Sequence, residues 1–295
     1  ANAVLLRGAR PVFAEINPQT LNLDPVDVAR KITPRTRAMI PVHYAGVACE
    51  MDTLLAIAAQ HHIAVVEDAA HGIGASYKGR ALGTIGSLGC YSFHATKNIV
   101  SGEGGALLLN HNQPQLIERA EIIYEKGTDR SQFLRGEVDR YTWHEIGSSF
   151  VMADLLAAFL YAQLERLEEI TQARQQRFFN YQQAFLACQQ REILQLPCLP
   201  AYAQSNYHLF FMLCPTQEMR DQMLQNLRDR GVEASFHFIP LHSAPMGRKL
   251  GYTNDDLSIT EDISRRLIRL PLYPDLSETE QSYVIESVQA CVAGW

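Results

Sequence analysis

Several signatures are missing from these 295 residues, and each absence removes a function class. There is no C-x-x-C pair, no H-E-x-x-H, and no G-x-G-x-x-G placed directly after a strand. That speaks against a dithiol redox motif, a zinc-protease helix and a nicotinamide-binding turn. Basic residues are not in excess: 26 stand against 32 acidic ones, for a formal charge of −6. A protein that binds by neutralising many phosphates needs the opposite balance, so nucleic acid is not an expected partner, although one small anionic ligand is compatible. The most apolar segment, Phe150 to Leu164, is interrupted by Asp154 and is too short to cross a bilayer, and nothing reads as a signal peptide. The expectation is a cytoplasmic protein without a membrane partner. The chain opens on Ala1-Asn2-Ala3-Val4-Leu5-Leu6 and reads as starting downstream of an original first residue.

Cys49, Cys90, Cys188, Cys198, Cys214 and Cys291 are widely spaced and mostly inside apolar stretches, so they read as reduced thiols. A chain of this size needs no covalent staples. The ten histidines show no metal-ligand spacing, and no metal site is expected.

What is present is the pattern of an α/β protein: Val-, Ile- and Leu-rich segments alternate with capped amphipathic helices, which predicts a mostly parallel sheet flanked by helices. Asp24-Pro25 marks a helix start that runs to Thr33-Pro34. Arg37 to Val42 reads as a strand, Asp52 as the cap of a helix through Ala59, and Ile63 to Val66 as a buried strand. From Met152, apolar residues recur every three or four positions through Leu167, which predicts a helix with one buried face. A more polar helical stretch, Thr171 to Gln189, reads as a bridge to a smaller domain. That domain begins with a strand at Tyr207 to Cys214, then a helix capped by Thr216 and ended by Gly231, then a strand from Val232 to Phe238. Its last helix opens on the capping box Ser277-x-x-Glu280. The division expected is 1–170 for a large domain, 171–190 for the bridging helix and 191–295 for a smaller C-terminal α/β domain.

The chemistry concentrates between Ile63 and Ala106. In parallel sheets ligands sit beyond the carboxyl ends of strands. One strand here ends in Glu67-Asp68, and the next, Cys90 to Phe93, leads into His94-Ala95-Thr96-Lys97. A carboxylate and an amine therefore converge on one crevice. Pyridoxal phosphate asks for that pair: an amine to hold its aldehyde and a carboxylate to keep its ring nitrogen protonated. Ser92 can offer its phosphate a hydroxyl, and Gly102, Gly104 and Gly105 suit a turn passing close to a ligand. Taken singly, each of these features more often belongs to a solvated lysine, a helix cap or a plain turn; their combination carries the reading.

Four segments carry a family resemblance: Pro41-Val42-His43-Tyr44-Ala45-Gly46, Met51-Asp52, Val65 to His71, and Ser92 to Lys97. With Asp154 to Leu167 and His237 to His242 they resemble the DegT/StrS family of sugar aminotransferases, a branch of the fold-type I pyridoxal-phosphate enzymes, along essentially the whole chain. The resemblance implies Lys97 as the cofactor lysine, Asp68 as the partner of the ring nitrogen, and Ser92 as a phosphate ligand. His71 stands where relatives usually have a glutamine against the phenolic oxygen, and Ser149 where they have an asparagine that reaches the neighbouring subunit's phosphate, so a homodimer is implied. Relatives also carry roughly eighty residues before position 1, including a Gly-Thr turn that grips the phosphate at a helix N-terminus.

The segments Glu125 to Arg130 and Arg140 to Trp143 resemble the branch of the family that makes dTDP-4-amino-4,6-dideoxygalactose for enterobacterial common antigen. This implies dTDP-4-keto-6-deoxyglucose as nucleotide-sugar acceptor and L-glutamate as donor, with Lys126 and His242 as substrate contacts. Read from its residues alone, the polar loop is a candidate lid. A dehydratase of the same family would carry histidine in place of Lys97. An idle relative serving as a binding or regulatory module would keep the fold without turnover.

Overall fold

The computed structural model describes residues 1–295. After one short helical turn at Asn2–Leu6, helix α1 (Pro25–Lys31) starts as read: the Asp24 carboxylate accepts from the Val26 amide, and Pro25 wastes no donor. Strand β1 (Ala38–Met39) is shorter than the predicted segment, which rejoins the sheet only through a bridge between Val42 and Asp68. Helix α2 (Met51–His61) has Glu50 at its cap position with no side-chain cap bond. Asp52 lies in its first turn and pairs with Lys78 at 2.7 Å instead of capping the helix. Strand β2 (Ala64–Asp68) runs parallel to β1 and to β3 (Leu88–Ser92), while β4 (Gly105–Leu109) closes the sheet antiparallel to β3. The order is β1-β2-β3-β4, so the sheet is mostly parallel.

Past helix α3 (Pro114–Tyr124), helix α4 (Asp154–Glu165) forms where the apolar periodicity placed it, but its face is not buried. Leu155 is 80% exposed, Tyr161 66% and Phe159 53%, and neither α3 nor α4 contains a buried residue. Periodicity reports that a helix has an apolar face; it says nothing about whether the covering surface lies in the same chain.

Helix α5 (Leu167–Gln190) is one continuous rod, starting earlier than the polar stretch suggested. Beyond it, β5 (Phe210–Leu213), α6 (Gln217–Asp229), β6 (Leu267–Leu270) and α7 (Glu278–Val292) build the second lobe. Thr216 caps α6 and the Ser277/Glu280 box caps α7, as the sequence indicates. The strand expected over Val232 to Phe238 reduces to one bridge, Ser235 to Arg269, and the extended stretch ends at Phe238, whose φ of 64° no strand accommodates. No helix is long and apolar enough to cross a membrane. Cys49 and Cys214 are buried and Cys198 is exposed, so the thiols do not share one environment.

The chain packs two main cores. One packs Met39, Leu54, Val65, Tyr77 and Leu82 under the four-stranded sheet. The other packs Phe178, Tyr181 and Phe185 of α5 against Phe210, Met212, Ile268 and Val288. A smaller cluster, with Ala45 from the first lobe and Phe211, Leu213 and Leu267 from the second, joins them and forms the floor of the cleft.

Candidate active site in the interlobe cleft

Strand alternation separates the two adjacent carboxylates at the end of β2. Glu67 turns inward and is fully buried. It accepts from the amides of Gly83 (2.8 Å), Ile85 (2.6 Å) and Gly86 (2.6 Å) and pairs with His43 Nε2 at 2.9 Å. Burial alone would raise its pKa, but these four bonds outweigh that and hold it below the usual carboxylate range. Glu67 is therefore committed to holding the fold.

Asp68 turns the other way. The register pairs it with Cys90, so the two side chains share a sheet face, and Ser92, two residues on, returns to that face. One Asp68 oxygen accepts the Ala70 amide at 3.1 Å, and no cation pairs with the carboxylate. Across the cleft, Lys97 sits in a loop folded back on the glycine run: Ala95 donates to the Gly102 carbonyl at 2.9 Å and Phe93 to that of Gly104 at 2.8 Å. Gly102 takes φ +86°, where a side chain would be strained. The Lys97 amine is half-buried; burial lowers its pKa, the Asp68 charge raises it, and the Arg269 charge lowers it again. The net shift is downward, towards a neutral amine.

Three histidines line the same cleft. His71 and His208 have ring centroids 4.1 Å apart, and His71 and His237 stack at 6.1 Å. His71 Nδ1 accepts from the Ala45 amide at 3.3 Å, which leaves Nε2 to carry the proton. Burial, helped by the Lys97 charge, depresses the His71 pKa to about 3, and burial with the Arg269 charge depresses that of His237 to about 4. Both rings are thus neutral at physiological pH. His237 is hydrogen-bonded to the Tyr44 hydroxyl.

The supports of this cluster come from distant parts of the chain, and reading the sequence missed them. Buried Asn98, next to Lys97, donates to the Asn206 carbonyl at 3.0 Å and bonds His208 Nδ1 at 2.7 Å. The Asn206 amide group donates to the carbonyls of His71 and Ile73, both at 2.7 Å. Arg174 of α5 clamps the carbonyls of Tyr207 and His208 at 3.1 and 2.6 Å. Gly46 is what lets the lobes approach: at φ +77°, an added Cβ would lie 1.9 Å from Asn206 Oδ1. A polar residue beside a motif lysine, such as Asn98, was the only sequence signal available for any of these.

Of the residues singled out from sequence, Lys97, Asp68, His71 and Ser92 come together here. Ser149 and Lys126 lie exposed and side by side on a separate ribbon, where Ser149 pairs with buried Glu125 and Lys126 Nζ is 3.6 Å from the Glu125 carboxylate. The glycine run nevertheless abuts that segment, since a Cβ on Gly104 would lie 2.3 Å from the Met152 methyl. His242 is not in the cleft: its ring is 1% exposed, with Nε2 3.5 Å from Glu261.

An unpaired carboxylate facing a half-buried amine can hold an aromatic cation next to a carbonyl carbon, which is a site for imine chemistry. Comparison with known proteins agrees. The chain is 35% identical over 302 residues to the spore coat polysaccharide biosynthesis protein SpsC of Bacillus subtilis, covering 100% of this chain and 76% of that protein. Among solved structures, the aminotransferase TlmJ from Streptoalloteichus hindustanus superposes with a TM-score of 0.89 at 32% identity, covering 100% of this chain and 76% of the other. DesV from S. venezuelae, solved with a ketimine intermediate, gives a TM-score of 0.88 at 30% identity, with 99% and 74% covered. Residues 1–289 match the pattern of the DegT/DnrJ/EryC1/StrS aminotransferases, and the chain belongs to that family.

Proposed function

We propose that this aminotransferase uses pyridoxal 5′-phosphate to move an amino group from L-glutamate to the C4 ketone of a nucleotide-linked sugar. The observation that carries the reading is the convergence of Lys97, depressed in pKa by burial, with the uncommitted carboxylate of Asp68. The donor set fits the cofactor: an amine for its aldehyde, a free carboxylate oxygen for its ring N–H, and an Nε2–H on His71 for its phenolic oxygen. The Ser92 hydroxyl, which accepts only a long 3.4 Å contact from the His94 amide, is left to donate to phosphate. DesV with its ketimine and SpsC with its polysaccharide role support an imine-based reaction on a sugar.

When bound, the cofactor supplies a protonated ring that draws electrons away from the substrate carbon. Asp68 keeps that ring nitrogen protonated through its charge. With the cofactor bound, Lys97 Nζ would hold its aldehyde and, its pKa lowered by burial, would hold and move a proton at the donor α-carbon and, for the acceptor, at the sugar C4. Neutral His71 donates without adding positive charge beside Lys97. We assign residues 1–170 to the cofactor-binding domain, 171–190 to the bridging helix and 191–295 to the smaller domain. The bare apolar face of α4 supports a homodimer, in which Ser149 of one copy reaches the other's phosphate and Lys126 a substrate phosphate. The resemblance of Glu125 to Arg130 and Arg140 to Trp143 supports dTDP-4-keto-6-deoxyglucose as acceptor, dTDP-4-amino-4,6-dideoxygalactose as product, enterobacterial common antigen as the destination and the cytoplasm as the place. His242 is left out of the substrate contacts because of its burial.

Protein saturated with pyridoxal phosphate is expected to be yellow, with a visible band that borohydride abolishes and Lys97→Ala lacks. Colourless protein under these conditions would favour an idle binding module. Assay across keto-sugar nucleotides and amino donors then selects the substrate.

A further inference from the structure

One cation in the cleft has no function in the scheme above. Arg269 lies on β6, whose neighbours Ile268 and Leu270 belong to the small-lobe core. Alternation therefore turns Arg269 to the opposite face, the one Leu267 shares with Phe211, Ala45 and Tyr44 on the cleft floor. Its register partner is Phe211, whose ring lies 6.0 Å from that of Tyr44. The guanidinium is half-buried, and its Nε donates to the Ser235 hydroxyl at 2.7 Å. The Ser235 backbone in turn brackets Arg269 by two bonds, at 3.2 and 2.8 Å. No carboxylate pairs with Arg269 and its terminal nitrogens have no protein acceptor, whereas neighbouring Arg265 and Arg266 both form ion pairs, with Glu261 at 3.0 Å and Asp262 at 2.6 Å. An oriented, unpaired guanidinium in a partly desolvated cleft is built to receive an anion.

We propose that Arg269, held in orientation by Ser235, binds a carboxylate of the amino-acid donor and so presents the donor α-carbon to Lys97. This rests on Lys97 being the cofactor lysine. The choice among anions follows from substrate geometry. An amino acid's carboxylate is one bond from the carbon that gives up its proton, so its anchor must stand close to Lys97. The diphosphate of a nucleotide sugar hangs from C1, across the pyranose ring from C4 and beyond the glycosidic oxygen. The Arg269 charge is felt at Lys97, His71, His237 and Tyr44, which fits the nearer anion.

The test is steady-state kinetics of the cofactor-loaded protein with Arg269→Gln, Arg269→Lys and Ser235→Ala, each first checked for the visible band and an unchanged cofactor Kd. Arg269→Gln is expected to raise the KM for L-glutamate on the order of 30-fold, as for loss of a charge-assisted contact, with the sugar-nucleotide KM within threefold of wild type. Arg269→Lys should fall between the two, and Ser235→Ala should raise the donor KM several-fold. Calorimetric binding of glutarate, a dicarboxylate with no amine, should weaken in parallel. A donor KM within threefold of wild type, a loss confined to the sugar nucleotide, or a loss of cofactor affinity would each overturn the assignment. Failure of the Lys97 reading would appear separately, as a wild-type protein with no borohydride-sensitive band.

Discussion

Replacing Glu67 by glutamine keeps the volume of a fully buried side chain but swaps two acceptor lone pairs for donors. Oε1 now accepts from Ile85 and Gly86, and Oε2 from Gly83 while also facing His43. If the amide oxygen takes the first position, the new NH2 points at the Gly83 N–H and at His43 Nε2. His43 cannot adapt freely, because its Nδ1 already accepts from the Cys49 amide at 3.1 Å. A change of tautomer would only transfer the orphaned donor from Nε2 to Cys49. At least two buried donors are left without acceptors, each worth about 1–3 kcal/mol, so a loss of about 3–5 kcal/mol is expected. For a chain of this size that is a fall of roughly 10 °C in Tm.

The same carboxylate has a pH signature. Its folded pKa is lowered, so its contribution is fully present above the unfolded value near 4.3 and is lost as pH falls through the folded one. The stability gap between wild type and Glu67→Gln should therefore be flat from pH 6 to 8 and narrow progressively as pH falls below the unfolded value near 4.3. Denaturant unfolding at matched cofactor concentration measures both. A loss under about 1 kcal/mol, or a gap that widens in acid, would refute the reasoning.

Two further outcomes follow from other parts of the molecule. The rate at which borohydride traps added pyridoxal phosphate on Lys97 should rise with pH about a midpoint below the ordinary lysine value near 10.4; Asp68→Asn, which removes the charge that raises the Lys97 pKa, should move that midpoint lower still, and an upward move would contradict the geometry. Leu155→Glu, on a helix face that buries nothing within one chain, should give a folded monomer by sedimentation with an unchanged circular dichroism spectrum; a dimer persisting at micromolar concentration would show that α4 is not the interface.

Legibility in the sequence followed the range of the interaction. Helix starts at Asp24, Thr216 and Ser277 were readable because a cap bonds within three residues. A mostly parallel sheet was readable from alternating strands and helices, although no helix separates β2 from β3. Lys97 and Asp68 stood out because Asp68 closes one strand and Lys97 follows the end of the next by five residues, where parallel sheets gather ligands. Asp52 misled because a helix-starting aspartate and one bound to Lys78, 26 residues away, look alike in sequence. The face of α4 misled because periodicity records the need for burial and not the surface that meets it.

What the sequence determined by itself was local: where the chain coils, where it extends, and which amine and carboxylate stand at the strand ends. The tertiary structure decided which of two adjacent carboxylates is free, since only the fold brings the three amides between Gly83 and Gly86 and His43 onto Glu67 and leaves Asp68 open. It also decided how the cleft is held and charged. Asn206 meets His71 across 135 residues, and the Arg269 charge reaches Lys97 from the other lobe. Contacts of that span have no periodicity, because they depend on how two separately packed cores settle against each other and on nothing written within reach of either residue.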